Sequence, residues 1–244
     1  MDEQTYEKAA EVENDHWWFR ARRQILGAVI EAHLSAGDAP PRILEAGCGN
    51  GGNLELLARY GTVFAIEKDD GARARAAKRG VATVERGWLP DVIPFPRDSF
   101  DLIAALDVLE HVDDDAAALR VLSGYARAGG LILITVPAFR WLWSVHDTIS
   151  HHLRRYTREQ VTTLLEGAGL TVQYAGYFNF LLFPMAVASI QLGKLMPRDD
   201  YRGMHIPPAG INRSLERIFA VESRLVPRLR LPFGLSIVAC ATRR

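Results

Sequence analysis

A glycine-rich turn between a short apolar strand and a helical pattern is the feature of this sequence with the clearest chemistry. Gly47, Gly49 and Gly52 have the spacing G-x-G-x-x-G, and Glu67 follows Gly47 by 20 residues. Glycines let the backbone approach a ligand closely at a helix N-terminus, and a carboxylate after the next strand can accept hydrogen bonds from both hydroxyls of a ribose. The pattern predicts a nucleotide site, and its spacing fits a dinucleotide as well as a smaller nucleoside ligand.

The charge of Glu45 helps to choose between these ligands. This residue lies at the mouth of the first predicted strand, where the pyrophosphate of a dinucleotide would pass, and a carboxylate there would repel a dianion. S-adenosylmethionine has no phosphate and carries a sulfonium and an ammonium group, so an acidic mouth would attract it. The acid-rich stretch from Glu85 to Asp115 favours the same choice. We expect S-adenosylmethionine as the cofactor, and we keep an NAD-dependent oxidoreductase as the alternative.

Histidines that follow two of the predicted strands are candidates for acid–base chemistry. His111 comes after the fourth strand, and His146, His152 and Tyr156 come after the fifth. Ligands of a doubly wound sheet bind at the carboxyl ends of its strands, so we expect these side chains near the substrate. Methyl transfer to a hydroxyl requires removal of a proton, and His152 and His111 are the first candidates for a base or an orienting group.

The same segment contains side chains of the types that ligate metals, namely His146, Asp147, His151 and His152. A single histidine is more often a hydrogen-bonded structural residue than a ligand, and the sequence does not show the groups that would orient such ligands. We therefore assign no metal site from the sequence.

Two aromatic and basic segments outside the expected core are candidates for closing over the cofactor and holding the substrate. The first, residues 16–23, would form a lid in which Arg20, with Arg22 and Arg23 nearby, offers a cation to the cofactor carboxylate. The second, residues 141–156, has arginines that suit a carboxylate or a phosphate. The candidate substrate residues are His16, Trp17, Trp141, Arg154 and Arg155. Their alternative roles are core packing for the aromatic residues and surface charge for the arginines.

Strands alternate with helices along the first half of the chain, which predicts an α/β fold with a doubly wound, mostly parallel sheet. The predicted strands are residues 42–45, 62–66, 82–85, 100–106, 131–136, 170–178 and 236–242. We expect an N-terminal helical lid in residues 1–40 and a cofactor-binding core in residues 41–178. Residues 179–244 would add an apolar helix, a linker at 197–210, another helix and the final strand of the same domain.

Composition excludes several classes of protein and partner. The 244 residues are 48% hydrophobic and 24% charged, which is typical of a globular chain. Lys plus Arg and Asp plus Glu each number 29, so we expect no nucleic-acid partner. Two cysteines favour a reducing compartment, and the polar, acidic residues 1–14 do not resemble a secretory signal, so we expect a cytoplasmic location.

The segment from residue 178 to 196 is the most apolar of the chain, but it is too short and too interrupted to span a membrane. We expect it to be buried, with a dimer contact or an interfacial helix as alternatives. Because basic residues follow it, a weak contact with a membrane surface also fits. The sequence is compatible with a monomer or a homodimer.

Several motifs taken together resemble the class I S-adenosylmethionine-dependent methyltransferases, specifically the broad small-molecule group. These motifs are residues 45–51, Glu67, residues 89–103 and residues 107–112. The resemblance implies a Rossmann-like, seven-stranded sheet with a reversed final hairpin. The family more often has Asp at the position of Glu67, which still supplies two acceptor oxygens. The lid, residues 141–156 and the C-terminal pattern resemble a bacterial subgroup of largely unassigned substrate.

The resemblance also implies roles for single residues around the cofactor. Glu45 would face the methionine amine, and Gly47, Cys48 and Gly49 would pass beside it. Glu67 would hold the ribose, and Lys68 would lie beside the adenine. The rest of the cofactor pocket would be Gly87, Trp88 and Leu89 around the adenine, with Leu106 and Asp107 beside the methyl group.

The sequence thus predicts a methyltransferase acting on a small molecule. A hydroxyl acceptor, on a sugar or a natural product, is favoured slightly over an amine or a carboxylate. A lipid-linked acceptor at the membrane surface and a cofactor-binding module without catalysis remain alternatives.

Overall fold

The computed structural model describes residues 3–35, 37, 39–195 and 205–244 of the chain. Its strands are β1 Arg42–Ala46, β2 Thr62–Glu67, β3 Ala82–Arg86, β4 Phe100–Leu106, β5 Ala126–Pro137, β6 Leu170–Phe178 and β7 Ser236–Arg243. They form one sheet in the order β3-β2-β1-β4-β5-β7-β6. Only β7 runs antiparallel to its neighbours β5 and β6. The predicted fold class, a mostly parallel seven-stranded sheet, is confirmed.

The central strands are apolar along their length because both faces of the sheet are covered. Successive residues of a strand point to opposite faces, and Leu102 and Ile103 accordingly belong to two different buried clusters. Ile43 and Leu44 of β1 divide between the same two clusters. The sheet is therefore the shared wall of two cores, which holds the carboxyl ends of its strands in fixed positions.

Helices cover both faces of the sheet. Their bounds are α1 Glu3–Val12, α2 Trp17–His33, α3 Leu54–Leu57, α4 Asp70–Lys78, α5 Asp115–Ser123, α6 Val145–Ile149, α7 Arg158–Gly167, α8 Phe183–Leu195 and α9 Ala209–Ala220. The α7 N-terminus has a capping box, in which Thr157 and Gln160 exchange side-chain to backbone hydrogen bonds. A short 3-10 turn, Leu109–His111, follows β4.

The first aromatic and basic segment, residues 16–23, forms the N-cap and the first turns of α2. His16 caps this helix, and its side chain accepts a hydrogen bond from the backbone N–H of Trp18. The helix packs against α9, where the Asn212 side chain accepts a hydrogen bond from the backbone N–H of Trp17 (2.9 Å). The C-terminal additions thereby position the N-terminal helix that borders the sheet edge.

The apolar segment forms α8, which agrees with the predicted helix. The expected burial of this helix is wrong, because residues 183–193 are all half-buried or exposed. Residues 197–204 of the predicted linker lie outside the described residues. Within the part of the chain that the structure describes, no helix is both long enough and apolar enough to cross a membrane. The exposed side chains of α8 and the turn before it include Leu181, Met185 and Leu192.

Candidate active site

A cleft of about 690 Å³ lies at the carboxyl ends of β1, β2, β3 and β4. α1 and the first turns of α2 form one wall, and the glycine turn and the segments after the strands form the other. Its size is that of a pocket for a small molecule, for which about 300–1,000 Å³ is usual.

The glycine turn forms the floor of the cleft beside β1. Gly47 has a φ of +75°, and a Cβ atom there would lie 2.9 Å from a methyl carbon of Val108. Gly49 has a φ of +54°, and its backbone N–H donates to Glu67 Oε2 (2.8 Å). Both positions need a residue without a side chain. Cys48 lies between them and lines the cleft with a buried thiol.

Glu67 is held at the end of β2 by hydrogen bonds from three directions. Besides the Gly49 N–H, its Oε1 accepts from the backbone N–H of Asp69 (2.9 Å) and from the hydroxyl of Tyr6 (3.3 Å). The side chain is 4% exposed and borders the cleft. Burial, reinforced by the charge of Glu67, raises the pKa of Tyr6, so this hydroxyl stays protonated and donates. The carboxylate is thus oriented before any ligand binds.

The residues that the family resemblance implies around the adenine all border the cleft. Lys68, Gly87, Trp88 and Leu89 all line it. Trp88 exchanges two backbone hydrogen bonds with Val92, at 2.9 and 2.8 Å, which closes a tight loop after β3. An aromatic ring and an apolar side chain on a braced loop suit the flat face of a purine.

Glu45 does not line the cleft, in contrast to its expected place at the mouth. The side chain is 1% exposed, and its Oε1 accepts from the side-chain amide of Asn53 (2.9 Å). Oε2 has no hydrogen-bond partner among the described residues. Burial raises the pKa of Glu45 to about 7. Near neutral pH this carboxyl is therefore only partly charged, and it lies beneath the glycine turn.

Leu106 and Asp107 end β4 inside the cleft, as the resemblance implies. Asp107 forms an ion pair with Arg22 (2.8 Å) and accepts from the hydroxyl of Thr135 (2.8 Å). Arg22 also donates to Thr135 (2.7 Å), and its guanidinium lies 5.2 Å from the centre of the Trp18 ring. This buried network ties α2 to the ends of β4 and β5.

The face of α2 that borders the cleft is not the one assigned from the sequence. Trp18, Phe19, Arg22 and Arg23 line the cleft, and they share one side of a helix that turns about 100° per residue. The other assigned residues point away: Arg20 pairs with Glu216 of α9 (3.0 Å), and Trp17 packs on Phe219 of α9. The buried His16 is used as the helix cap.

The structure brings two of the candidate histidines together beside the cleft. His111 lines it, and the ring of His152 lies behind, 4.8 Å away between ring centres. Burial lowers the pKa of His111 to about 4, so this imidazole is neutral and can accept a proton. His146 is exposed, with its ring centre 6.1 Å from that of His152, and does not line the cleft.

The other candidates after β5 have structural partners. Tyr156 is buried and donates to Asp115 (2.8 Å), and Arg154 pairs with the same carboxylate (3.0 Å). Arg155 makes two bonds to Asp147, at 2.7 and 2.9 Å. Trp141 is 53% exposed and packs on Phe139 outside the cleft. This geometry does not support the roles predicted for Tyr156, Arg155 and Trp141. The Tyr156 hydroxyl and the Arg155 guanidinium already bind carboxylates, and the Trp141 ring lies outside the cleft.

Residues 18–175 match a family model described as a methyltransferase domain. The match extends from α2 to β6 and includes the glycine turn, Glu67 and the segment after β4.

The chain belongs to this methyltransferase family.

Curated relatives of this methyltransferase point in the same direction. A probable S-adenosylmethionine-dependent methyltransferase of Mycobacterium tuberculosis is 29% identical over 170 residues, which are 68% of this chain and 60% of that protein. A ubiquinone biosynthesis O-methyltransferase of Methylocella silvestris is 38% identical over 96 residues, which are 37% of this chain and 38% of that protein. The predicted S-adenosylmethionine-dependent class is confirmed at the level of the family, against the NAD-dependent alternative.

A solved structure from Thermotoga maritima shares the fold. It is described as an S-adenosylmethionine-dependent methyltransferase and possible histamine N-methyltransferase, and it superposes with a TM-score of 0.59. The alignment covers 93% of each chain at 16% identity. At this identity the likeness concerns the fold alone.

Sequence reasoning did not assign three residues at the site or its edge. Tyr6 and Glu13 of the N-terminal segment line the cleft, whereas Glu110 lies buried behind His111. Glu110 carried a signal, because it is an acid in the apolar run 108–112 directly before a histidine. Tyr6 and Glu13 carried none, since only the fold brings α1 over the turn.

Proposed function

We propose that this protein transfers the methyl group of S-adenosylmethionine to a hydroxyl oxygen of a small molecule. The single observation that carries the cofactor assignment is the carboxylate of Glu67, fixed by two backbone N–H groups at the end of β2 and facing the glycine turn. A carboxylate held in this way accepts both hydroxyls of a ribose without rearranging.

The remaining walls of the cleft fit the other parts of the cofactor. Trp88 and Leu89 would cover the adenine, and Arg23, which also lines the cleft, would offer a cation to the methionine carboxylate. Acidic side chains also border the cleft, among them Glu13, Asp107 and Asp113. Opposite charges around a zwitterionic cofactor with a sulfonium favour it over a diphosphate.

The reaction itself asks little of the protein beyond positioning. A lone pair of the acceptor oxygen attacks the methyl carbon as the carbon–sulfur bond breaks, and that electron pair stays on sulfur, which gives S-adenosylhomocysteine. The hydroxyl proton passes to a base, and the neutral imidazole of His111 lies on the cleft wall for this purpose. The cleft would accelerate the reaction mainly by holding the acceptor oxygen in line with the methyl carbon and the sulfur.

A hydroxyl acceptor is supported by the site and by the relatives. An amine or carboxylate acceptor needs no base in the form that attacks, whereas a hydroxyl does, and two histidines stand at the inner end of the cleft. Ubiquinone biosynthesis O-methyltransferases are among the proteins to which this chain is similar.

The test of the cofactor assignment is calorimetry with S-adenosylhomocysteine. We expect micromolar binding to the wild type and a loss of about 100-fold in Glu67→Ala, because hydrogen bonds to a charged group contribute about 1.5–3 kcal/mol each. Glu85→Ala is the matched control, since Glu85 is an exposed acid on the neighbouring strand, in register with Ile66. Unchanged affinity in a folded Glu67→Ala protein would refute the ribose assignment.

A second candidate function is methyl transfer to an acceptor that is linked to a lipid at a membrane surface. Leu181, in the turn before α8, and Met185 and Leu192 of α8 are 39%, 51% and 48% exposed. Met185 and Leu192 are seven positions apart, which brings them to one side of the helix. The contact with a membrane surface stays a prediction, and its test is given with the properties of the whole molecule.

A further inference from the structure

The acid that sequence reasoning missed lies in an unusual place. Glu110 is 0% exposed, and neither of its carboxyl oxygens has a hydrogen-bond partner among the described residues. A buried polar group without a partner costs about 1–3 kcal/mol, and more when it is charged. A side chain retained at this cost needs an explanation.

Two imidazoles stand next to this carboxyl group. One ligand atom each of Glu110, His111 and His152 lies within 4.8 Å of the others. Zinc binds imidazole nitrogen and carboxylate oxygen at about 2.0–2.2 Å. An ion placed between the three ligand atoms would therefore reach all of them if each atom moved inward by about an ångström. The three residues come from the turn after β4 and the loop after α6, which the fold joins through a hydrogen bond from the Leu153 N–H to the Glu110 carbonyl (2.8 Å).

Each imidazole also has a hydrogen-bond partner that can orient it. His152 Nδ1 lies 2.9 Å from a carboxylate oxygen of Asp147, and His111 bonds to the backbone of His151. Asp147 is fully buried and is held by Arg155. This is the arrangement by which metal-binding histidines are usually fixed, with one nitrogen donating to a carboxylate or carbonyl and the other facing the ion.

We propose that Glu110, His111 and His152 form a binding site for a divalent transition-metal ion at the inner end of the cleft. Two imidazoles and one carboxylate suit Zn²⁺ and its neighbours in the first transition row better than Mg²⁺ or Ca²⁺, which prefer oxygen ligands. This set differs from the residues 146–152 considered from the sequence, because His146 is exposed and Asp147 serves as the support of His152.

The role of the ion, though not its binding, rests on the proposed function. Three protein ligands leave a coordination position free, as in catalytic zinc sites, and His111 borders the cleft. An acceptor hydroxyl bound at that position would be acidified by the ion and would release its proton to water before attack. In the metal-loaded protein His111 is then a ligand, and this role replaces the role of base that it has without the ion. The substrate class is then an alcohol or phenol that can reach the metal while the methyl group lies opposite.

The experiment uses Zn²⁺ and Co²⁺ on chelator-treated full-length protein, with metal content measured by mass spectrometry and Co²⁺ coordination by visible absorption. We expect one bound ion per chain and a tetrahedral Co²⁺ spectrum. Glu110→Gln, His111→Gln and His152→Gln should each weaken binding by about 100-fold, the upper end of what changes around a metal site cost. His33→Gln is the matched control, because His33 is a half-buried histidine at the other end of α2.

Binding of S-adenosylhomocysteine, measured on the same samples, shows whether each variant is folded and separates the two proposals. Wild-type protein that binds the nucleoside but takes up no Zn²⁺ or Co²⁺ at 100-fold excess would overturn the metal site alone. Equal binding in the three variants and in His33→Gln would overturn it as well. Metal uptake without nucleoside binding would instead contradict the cofactor assignment.

Discussion

Two glutamates at neighbouring strand ends have opposite surroundings. Glu67 accepts hydrogen bonds from two backbone N–H groups, one on each carboxyl oxygen, which fix the orientation of the group. Glu45 receives one amide hydrogen bond and is otherwise buried, so its neutral form is favoured. At the scale of single residues, the hydrogen-bond donors around each carboxyl group therefore decide how it is oriented and whether its burial is compensated.

The raised pKa of Glu45 predicts a pH-dependent stability. Because burial raises this pKa from 4.5 to about 7, the folded protein binds a proton in that interval that the unfolded chain has lost. The contribution of Glu45 to stability therefore falls by about 3 kcal/mol as pH rises from 4.5 to 7 and is constant above. We expect Glu45→Gln to gain stability relative to the wild type over this range.

Urea unfolding without cofactor at pH 5 and pH 8 measures this difference. Other carboxylates are common to both proteins, so only the change in the wild-type-minus-variant difference matters. Glu85→Gln, at an exposed position, should leave that difference constant. A Glu45→Gln curve parallel to the wild type would show that Glu45 is not desolvated in solution.

At the scale of elements, α2 connects the C-terminal additions to the cleft. One side of this helix carries Arg22 and Arg23 toward the cleft, and the other carries Trp17 against Phe219 of α9. Phe219 is fully buried and also stacks on Phe178 of β6, with ring centres 6.2 Å apart. The position of the cleft wall thus depends on the packing of Trp17 against Phe219 on the opposite side of α2, about one helix diameter away.

Phe219→Ala should therefore destabilise the fold and weaken cofactor binding together. Removing a buried Phe costs about 3–5 kcal/mol, and the loss of support for α2 should reduce affinity for S-adenosylhomocysteine. Urea midpoints and calorimetry measure the two effects. Ile218→Ala is the control on the same helix, since Ile218 is 44% exposed. A stability loss with unchanged affinity would show that α2 keeps its place without α9.

At the scale of the whole molecule, the apolar side chains of α8 and its preceding turn remain on the surface. The described helix has 13 residues, and the sequence around it is basic rather than acidic toward the C-terminus. An exposed apolar patch suits a lipid surface, and the excess of arginine over acidic residues between 200 and 244 would favour an anionic one. Such a contact would bring a lipid-linked acceptor to the protein.

We expect the wild type to sediment with vesicles that contain anionic lipid, and a Leu181→Asp, Leu192→Asp double variant to stay in the supernatant. The loss has two causes, namely less apolar area for burial and two added negative charges. A Val81→Asp, Leu229→Asp variant adds the same charge at exposed apolar positions elsewhere. Equal sedimentation of all three proteins would exclude this surface as the contact.

The amino-acid sequence by itself determined the succession of the seven strands along the chain, the glycine turn and the acid at the end of β2. These features depend on local periodicity, on backbone freedom at glycine and on short spacings. Each of these signals is contained in a stretch of about twenty residues. The bounds of β4 and β6 agree with prediction at both ends for this reason.

The tertiary structure alone decided which polar side chains face the cleft. Glu45 and Arg155 have the residue types of a binding site, yet one is buried under the turn and the other is used by Asp147. Tyr6 and Glu110 enter the site or its edge through contacts distant in sequence, such as Tyr6 with Glu67. A side chain's chemistry depends on its nearest donors, acceptors and water, and packing between distant segments determines which of these it meets.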